Sequence, residues 1–226
     1  MYTHLSSGIE FPLWVPGSVR RHAKSIEAIV GVSFAGDSRK HAGLLLERLV
    51  VHPHMRRVWR AVTKIDPSPE HPDYVSDSIF IWAWVNGVVD FEQVRQSFKR
   101  EDERICDLVR HLQGFNKKAK RTFAGSALAD VDLGLDQDAI VDRLRVQVDA
   151  MKSQFADSTL AAVEVNHPSK QTAFVRSYSR ALCNEAGLDV SAQPIRQIIA
   201  WISSVVFVES DSDFTPADIK KINKNR

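Results

Sequence analysis

The sequence predicts an all-α protein, an irregular multi-helix bundle of about eight or nine helices. Three observations carry this prediction. Apolar residues recur at three- and four-residue spacing through most of the 226 positions. Capping residues stand ahead of several of these runs, and proline or glycine closes them. Finally, 44% of positions are hydrophobic and 26% charged, enough apolar surface for a sizeable core. The same composition excludes collagen-like, mucin-like and wholly disordered chains.

Residues 1–17 read as an irregular arm. Phe11, Leu13, Trp14 and Val15 are apolar, but Pro12 and Pro16 deny them a ladder or a helix, so the arm is expected to dock on its own core. Ser18 is placed to cap a first helix running to about Val30, with Val19, Ala23, Ile26 and Val30 on one stripe. Asp37 or Ser38 opens a second, carrying Ala42, Leu45, Leu46 and Leu49, which His52-Pro53 interrupts. A third, short helix turns Met55, Val58, Trp59 and Val62 inward and ends near Asp66-Pro67.

Residues 78–88, SIFIWAWVNGV, are largely apolar, so a strand with Phe80, Trp82 and Trp84 on one face and a buried helix both fit. The helical neighbours favour the helix, with Gly87 at its end. The longest periodic element runs from Asp90 to about Lys120 through Phe91, Val94, Phe98, Ile105, Leu108, Val109, Leu112 and Phe115. Its stripe lapses at KREDER, which predicts a bend or break near Lys99–Glu103. Residues 121–136 read as an acidic linker. Beyond it, Asp136 or Asp138 caps a helix with Ile140, Leu144, Val148, Met151 and Phe155 on its stripe. The next carries Phe174, Tyr178 and Leu182 and stops at Gly187. Another, from about Ala192, carries Ile195, Ile198, Ile199, Ile202, Val205 and Val206, with Trp201 widening its apolar face toward a central or dimer-forming position. Thr215-Pro216-Ala217-Asp218 opens the last helix as a capping box with proline at the first turn. The chain thus divides into helical segments 18–120 and 137–226, with the option of one shared core.

Charge is more informative in its distribution than in its sum, which is +2. Residues 17–64 hold ten basic against three acidic side chains, and 65–90 hold five acidic and no basic ones. Nine basic against five acidic follow in 91–121, then three against eight in 122–169. Arg56, Arg57, Arg60 and Lys64 share or border the polar face of the third helix, and Lys117 and Lys118, with Lys120 and Arg121, form a second cluster at a helix C-terminus. Six of them, Arg56, Arg57, Arg60, Lys64, Lys117 and Lys118, are the candidate phosphate-contacting residues if the chain binds nucleic acid. No helix-turn-helix, zinc-finger or RNA-binding signature accompanies them.

Other patterns fall short of a site. Gly31-Val32-Ser33-Phe34-Ala35 approximates a hydrolase nucleophile elbow, but that turn needs a preceding parallel sheet to present the serine, and a helix–helix turn with Gly31 ending one helix is the plainer reading. Asp130, Asp132, Gly134, Asp136 and Asp138 alternate as in a calcium loop, yet the turn glycine is misplaced and the bidentate acid is missing. His52 and His54 lack a third metal ligand nearby, and His111 lies four residues after Asp107 at a spacing suited to an exposed hydrogen bond. Cys106 and Cys183 read as small buried hydrophobes of a reducing compartment. The N-terminus lacks a basic start, and no run reaches the 18 or so apolar residues of a membrane span, so a cytoplasmic setting without membrane contact is expected. No cofactor or metal is expected. The sequence therefore favours a non-enzymatic interaction or regulatory protein with a protein partner or a second copy of itself. A nucleic-acid binder is the alternative, and a small serine hydrolase is a remote one.

Overall fold

A computed structural model of the chain describes residues 9–65, 73–124, 139–140, 142–144, 146, 150, 169–208 and 214–224, and all regular structure among them is helical. The complete helices are α1 (Gly17–Ser33), α2 (Gly36–Val51), α3 (Pro53–Val62), α4 (Tyr74–Val88), α5 (Phe91–Phe123), α6 (Lys170–Asn184), α7 (Gln193–Val206) and α8 (Pro216–Lys224). Residues 139–140, 142–144, 146 and 150 are helical as well, with Ile140 and Leu144 half-buried. The aspartates of the calcium-like pattern and the rest of the expected helix over 137–155 lie outside the described residues.

The apolar stripes become one buried mass that draws on every complete helix, from Val15 ahead of α1 to Ile219 in α8. Helix α4 lies at its centre, packed against α1, α2, α3 and α6, with eight buried residues between Val75 and Asn86. That position explains its uniform apolarity, and it is a helix rather than a strand. An ion pair between Arg21 and Asp73 at 3.7 Å and a contact of the His22 ring with the Asp77 carboxylate at 3.2 Å also join α1 to α4. Tyr178 of α6 is fully buried and donates its hydroxyl to the Ile79 carbonyl at 3.0 Å. Burial raises its pKa well above the ordinary tyrosine range. A second buried link runs from the Ser177 hydroxyl to Asn86 Oδ1. Helix α7 packs on α2, α3, α6 and α8, so the chain after residue 169 closes over α2, α3 and α4.

Several local expectations need correction. Ser18 does not cap α1: it lies inside the helix with a buried hydroxyl that has no partner, and Pro16 occupies the cap position. Proline at the cap removes one amide that a helix start leaves without an intrahelical partner, and Arg20 ties the arm back by donating to the carbonyls of Val15, Pro12 and Leu13. Phe11 and Trp14 pack on the core as expected, whereas Leu13 is 94% exposed. Helix α1 continues through Gly31 to Ser33, because Arg39 donates to the otherwise orphaned carbonyls of Gly31 and Phe34. Gly36, at φ +54°, makes the turn into α2.

Helix α5 runs unbroken through KREDER and past residue 121 to Phe123, three residues into the expected linker. The charges that interrupt its stripe pair along the helix, Glu92 with Arg95, Glu101 with Arg104, Lys99 with Glu103 and Asp107 with Arg110. Asp90 caps its start, accepting from the amides of Glu92 and Gln93 at 3.1 Å. The Thr215–Asp218 capping box forms in both directions. Cys106 and Cys183 are both exposed, not buried, and neither is bridged.

Candidate functional site

Helix α3 owes its position to its two ends. His52 Nδ1 accepts from the His54 amide at 3.2 Å, Pro53 occupies the first turn, and the turn after Val62 is closed by the Lys64 amide donating to the Ala61 carbonyl at 3.1 Å. Met55, Val58, Trp59 and Val62 are buried as the spacing predicts, which commits the opposite face to solvent. Arg56, Arg57, Arg60 and Lys64 are all exposed on that face.

The cap carries a pH prediction. Burial first, then the charges of His54 and Arg48, hold the His52 pKa below the usual 6.5. The folded state therefore keeps a neutral ring where the unfolded chain would already take up a proton. Its contribution is complete above about pH 6.5 and is lost as pH falls through the folded value. Urea midpoints of the wild type should drop between pH 7.5 and 5.5, and His52→Asn, which keeps an acceptor without a titrating ring, should show a smaller drop. An equal drop would mean the cap does not titrate.

Between α3, α7 and the turn that precedes α7 lies an open cavity of about 600 Å³. One wall comes from α3 and its C-terminal turn: Arg57, Arg60 and Lys64 at the rim, with Ala61 and Ile65 beneath. The facing wall comes from Gly187, Leu188, Asp189 and Ala192 of the turn and from Pro194, Ile195 and Trp201 of α7. The turn is built by Gly187 at φ +64°, which lets the Leu188 amide reach back to the Leu182 carbonyl at 3.0 Å and so closes the end of α6.

Asp189 is the acid on this wall, and it is already engaged. Its carboxylate accepts from the Ser191 hydroxyl at 2.6 Å and the Ser191 amide at 2.9 Å. Those bonds hold its pKa below the ordinary carboxylate range, and the Arg196 charge adds to the effect. No ion pair among the described residues involves Arg57, Arg60 or Lys64, so the rim carries a surplus of positive charge over an apolar floor.

Of the six cations singled out in the sequence, three therefore converge on one cavity. Arg56 is exposed beside it without lining it. Lys117 and Lys118 are exposed on the distal part of α5 and take no part in this wall. Arg20 and Arg39, also in the basic stretch, are consumed by backbone carbonyls. The apolar half of the site went unread in the sequence, except that Trp201 stood outside the narrow core stripe of its helix.

The other candidates assemble no site. Ser33 is the exposed last residue of α1, with no strand among the described residues to mount it. The His52 and His54 rings meet edge-on at 5.1 Å, and no third ligand joins them among the described residues. His111 bonds the backbone carbonyl of Asp107 at 2.7 Å, while the Asp107 carboxylate pairs with Arg110 at the same distance. No described helix is long and apolar enough to cross a membrane. Compared with protein-family models, curated proteins and solved structures, the chain matches none.

Proposed function

We propose that this chain is a non-enzymatic interaction protein of regulatory type that docks a partner protein in the cavity between α3 and α7. The observation that carries the reading is an apolar floor beneath three cations that have no ion-pair partner among the described residues. Removing apolar surface from water supplies about 25 cal/mol per Å², while charges at a rim select and steer the partner. The acid on the wall, Asp189, is held by the hydroxyl and amide of Ser191 and is poorly placed to act as a base. Two exposed, unbridged thiols suit a reducing compartment, so a cytoplasmic setting belongs to the proposal. Nucleic acid would satisfy the cations and leave the apolar floor without a use.

The test uses anilinonaphthalene sulfonate, a small probe that combines an apolar ring system with one anionic group. It should bind at a single saturable site with a rise in emission. Ala192→Trp, at a cap position whose side chain makes no capping hydrogen bond, should fill the cavity and abolish binding. Arg57→Ala combined with Arg60→Ala should weaken it by about tenfold. Dye binding that is absent, or indifferent to Ala192→Trp in a chain with unchanged circular dichroism, removes the cavity as the docking surface.

A further inference from the structure

We infer that the occupant of the α3–α7 cavity is an acidic amphipathic helix of the partner, with carboxylates along one stripe and large apolar side chains along the next; this rests on the docking function proposed above.

The argument is the arrangement of charge along α3. Arg60 and Lys64 follow Arg57 by three and seven residues, and Lys64 lies in the hydrogen-bonded turn just past the helix end, so the three span about 10 Å at roughly 1.5 Å per residue. A single carboxylate or phosphate engages one end of that span. A helix with acids at positions i, i+3 or i+4, and i+7 engages all of it, because its own repeat matches that of α3. The cations come from the α3 wall alone, and Leu188, Ala192, Ile195 and Trp201 come from the facing wall. A ligand lying between the walls therefore needs two different long faces side by side, acidic toward α3 and apolar toward α7. An amphipathic helix in a groove has this geometry. Nucleic acid supplies spaced charges without the apolar stripe. An anionic bilayer offers charge in a plane, whereas these apolar side chains line a concavity.

Asp189 supplies an internal control. It is the like charge an acidic ligand must approach, and its carboxylate is held in place by Ser191. Asp189→Asn keeps an acceptor for those bonds and removes the repulsion.

The experiment measures anisotropy of a labelled 18-residue peptide with Glu and Leu on adjacent helical stripes, titrated with the full-length chain. Comparison ligands are a permuted peptide of the same composition, a peptide with Lys in place of Glu, duplex DNA, and phosphatidylserine vesicles. The patterned acidic peptide should bind at least tenfold more tightly than the permuted and Lys peptides and displace the dye. Arg57→Ala combined with Arg60→Ala should weaken it about tenfold, Asp189→Asn should tighten it about twofold, and Lys117→Ala with Lys118→Ala should leave it unchanged. Equal binding of the permuted peptide, or indifference to the Arg57 and Arg60 substitutions, overturns the inference. So does tighter binding of DNA, with a salt slope near 0.9 for each phosphate neutralised, or of vesicles. Dye binding without peptide binding overturns the inference and leaves the docking function standing. Failure of both ligands removes both.

Discussion

Phe174→Ala is expected to destabilise the fold by about 3–5 kcal/mol, a large part of the roughly 5–15 kcal/mol that holds a domain together. Phe174 is 1% exposed. It stacks on Tyr178 with ring centroids 5.4 Å apart and meets the edge of Phe207 at 5.5 Å. Truncation removes both ring contacts and opens a void beside Tyr178, whose hydroxyl anchors α6 to α4 through Ile79. The void cannot close cheaply, because the residues around it already belong to the densely packed interior. At a few degrees per kcal/mol for a chain of this size, the melting temperature should fall by roughly 10 °C. Two probes make the result informative. Far-UV circular dichroism follows all helices, and tryptophan emission draws mainly on the first half of the chain, which holds four of the five tryptophans, Trp14, Trp59, Trp82 and Trp84. One shared core requires both urea transitions to shift together. A tryptophan transition left at the wild-type midpoint would show that the two halves unfold separately. Phe115→Ala, at a side chain 53% exposed, should change stability by no more than about 0.5 kcal/mol.

Where a helix had one wet face, its sequence was sufficient. Helix α3 shows this most simply, since Met55, Val58, Trp59 and Val62 all went inward. Helix α4 is apolar even on its half-buried side, at Ile81, Trp82 and Val85, so its period could not distinguish helix from strand, and the answer came from its packing on α1, α2, α3 and α6. KREDER misled in the opposite sense. A gap in the apolar stripe looked like a break, but salt-bridged charges three and four residues apart are compatible with a continuous helix. Ser18 and Pro16 competed for one cap, and the residue without a free amide won. The cysteines are exposed rather than buried because burial depends on which face of α5 and α6 they occupy, not on residue type.

The site divides along the same line. Its cations were visible because they share the polar face of a single helix. Its floor was not, because Leu188, Ala192 and Ile195 reach α3 only through the packing of α7 on α3, a pairing between segments far apart in sequence. In the sequence Gly187 signals only a helix stop, yet its positive φ also directs the turn that forms the far wall.

Gly87→Val should cost about 1–3 kcal/mol, whereas Gly114→Ala should be neutral or stabilise by up to about 1 kcal/mol, although both glycines are helical. A Cβ at Gly87 would lie 2.5 Å from Leu45 Cδ2 and 3.4 Å from Cδ1, and at Gly114 it would meet nothing within 4 Å. Leu45 is 2% exposed and held in the α2 core, so it can yield only by leaving its preferred rotamer or by pushing α2 away from α4. Valine adds two further methyl groups to that collision and gains little in helix propensity over glycine. The explanation makes a stricter demand through Leu45. Leu45→Ala alone should cost about 2–5 kcal/mol by leaving a cavity. If the penalty at Gly87 is this one collision, valine in the Leu45→Ala background enters the vacated space and each change relieves the other. Denaturant unfolding of the two single variants and the double variant closes the cycle. The double should be more stable than additivity predicts by about 1–3 kcal/mol. Strict additivity would mean that the two side chains do not compete for space, and the contact of α2 with α4 would then not be what requires glycine at position 87.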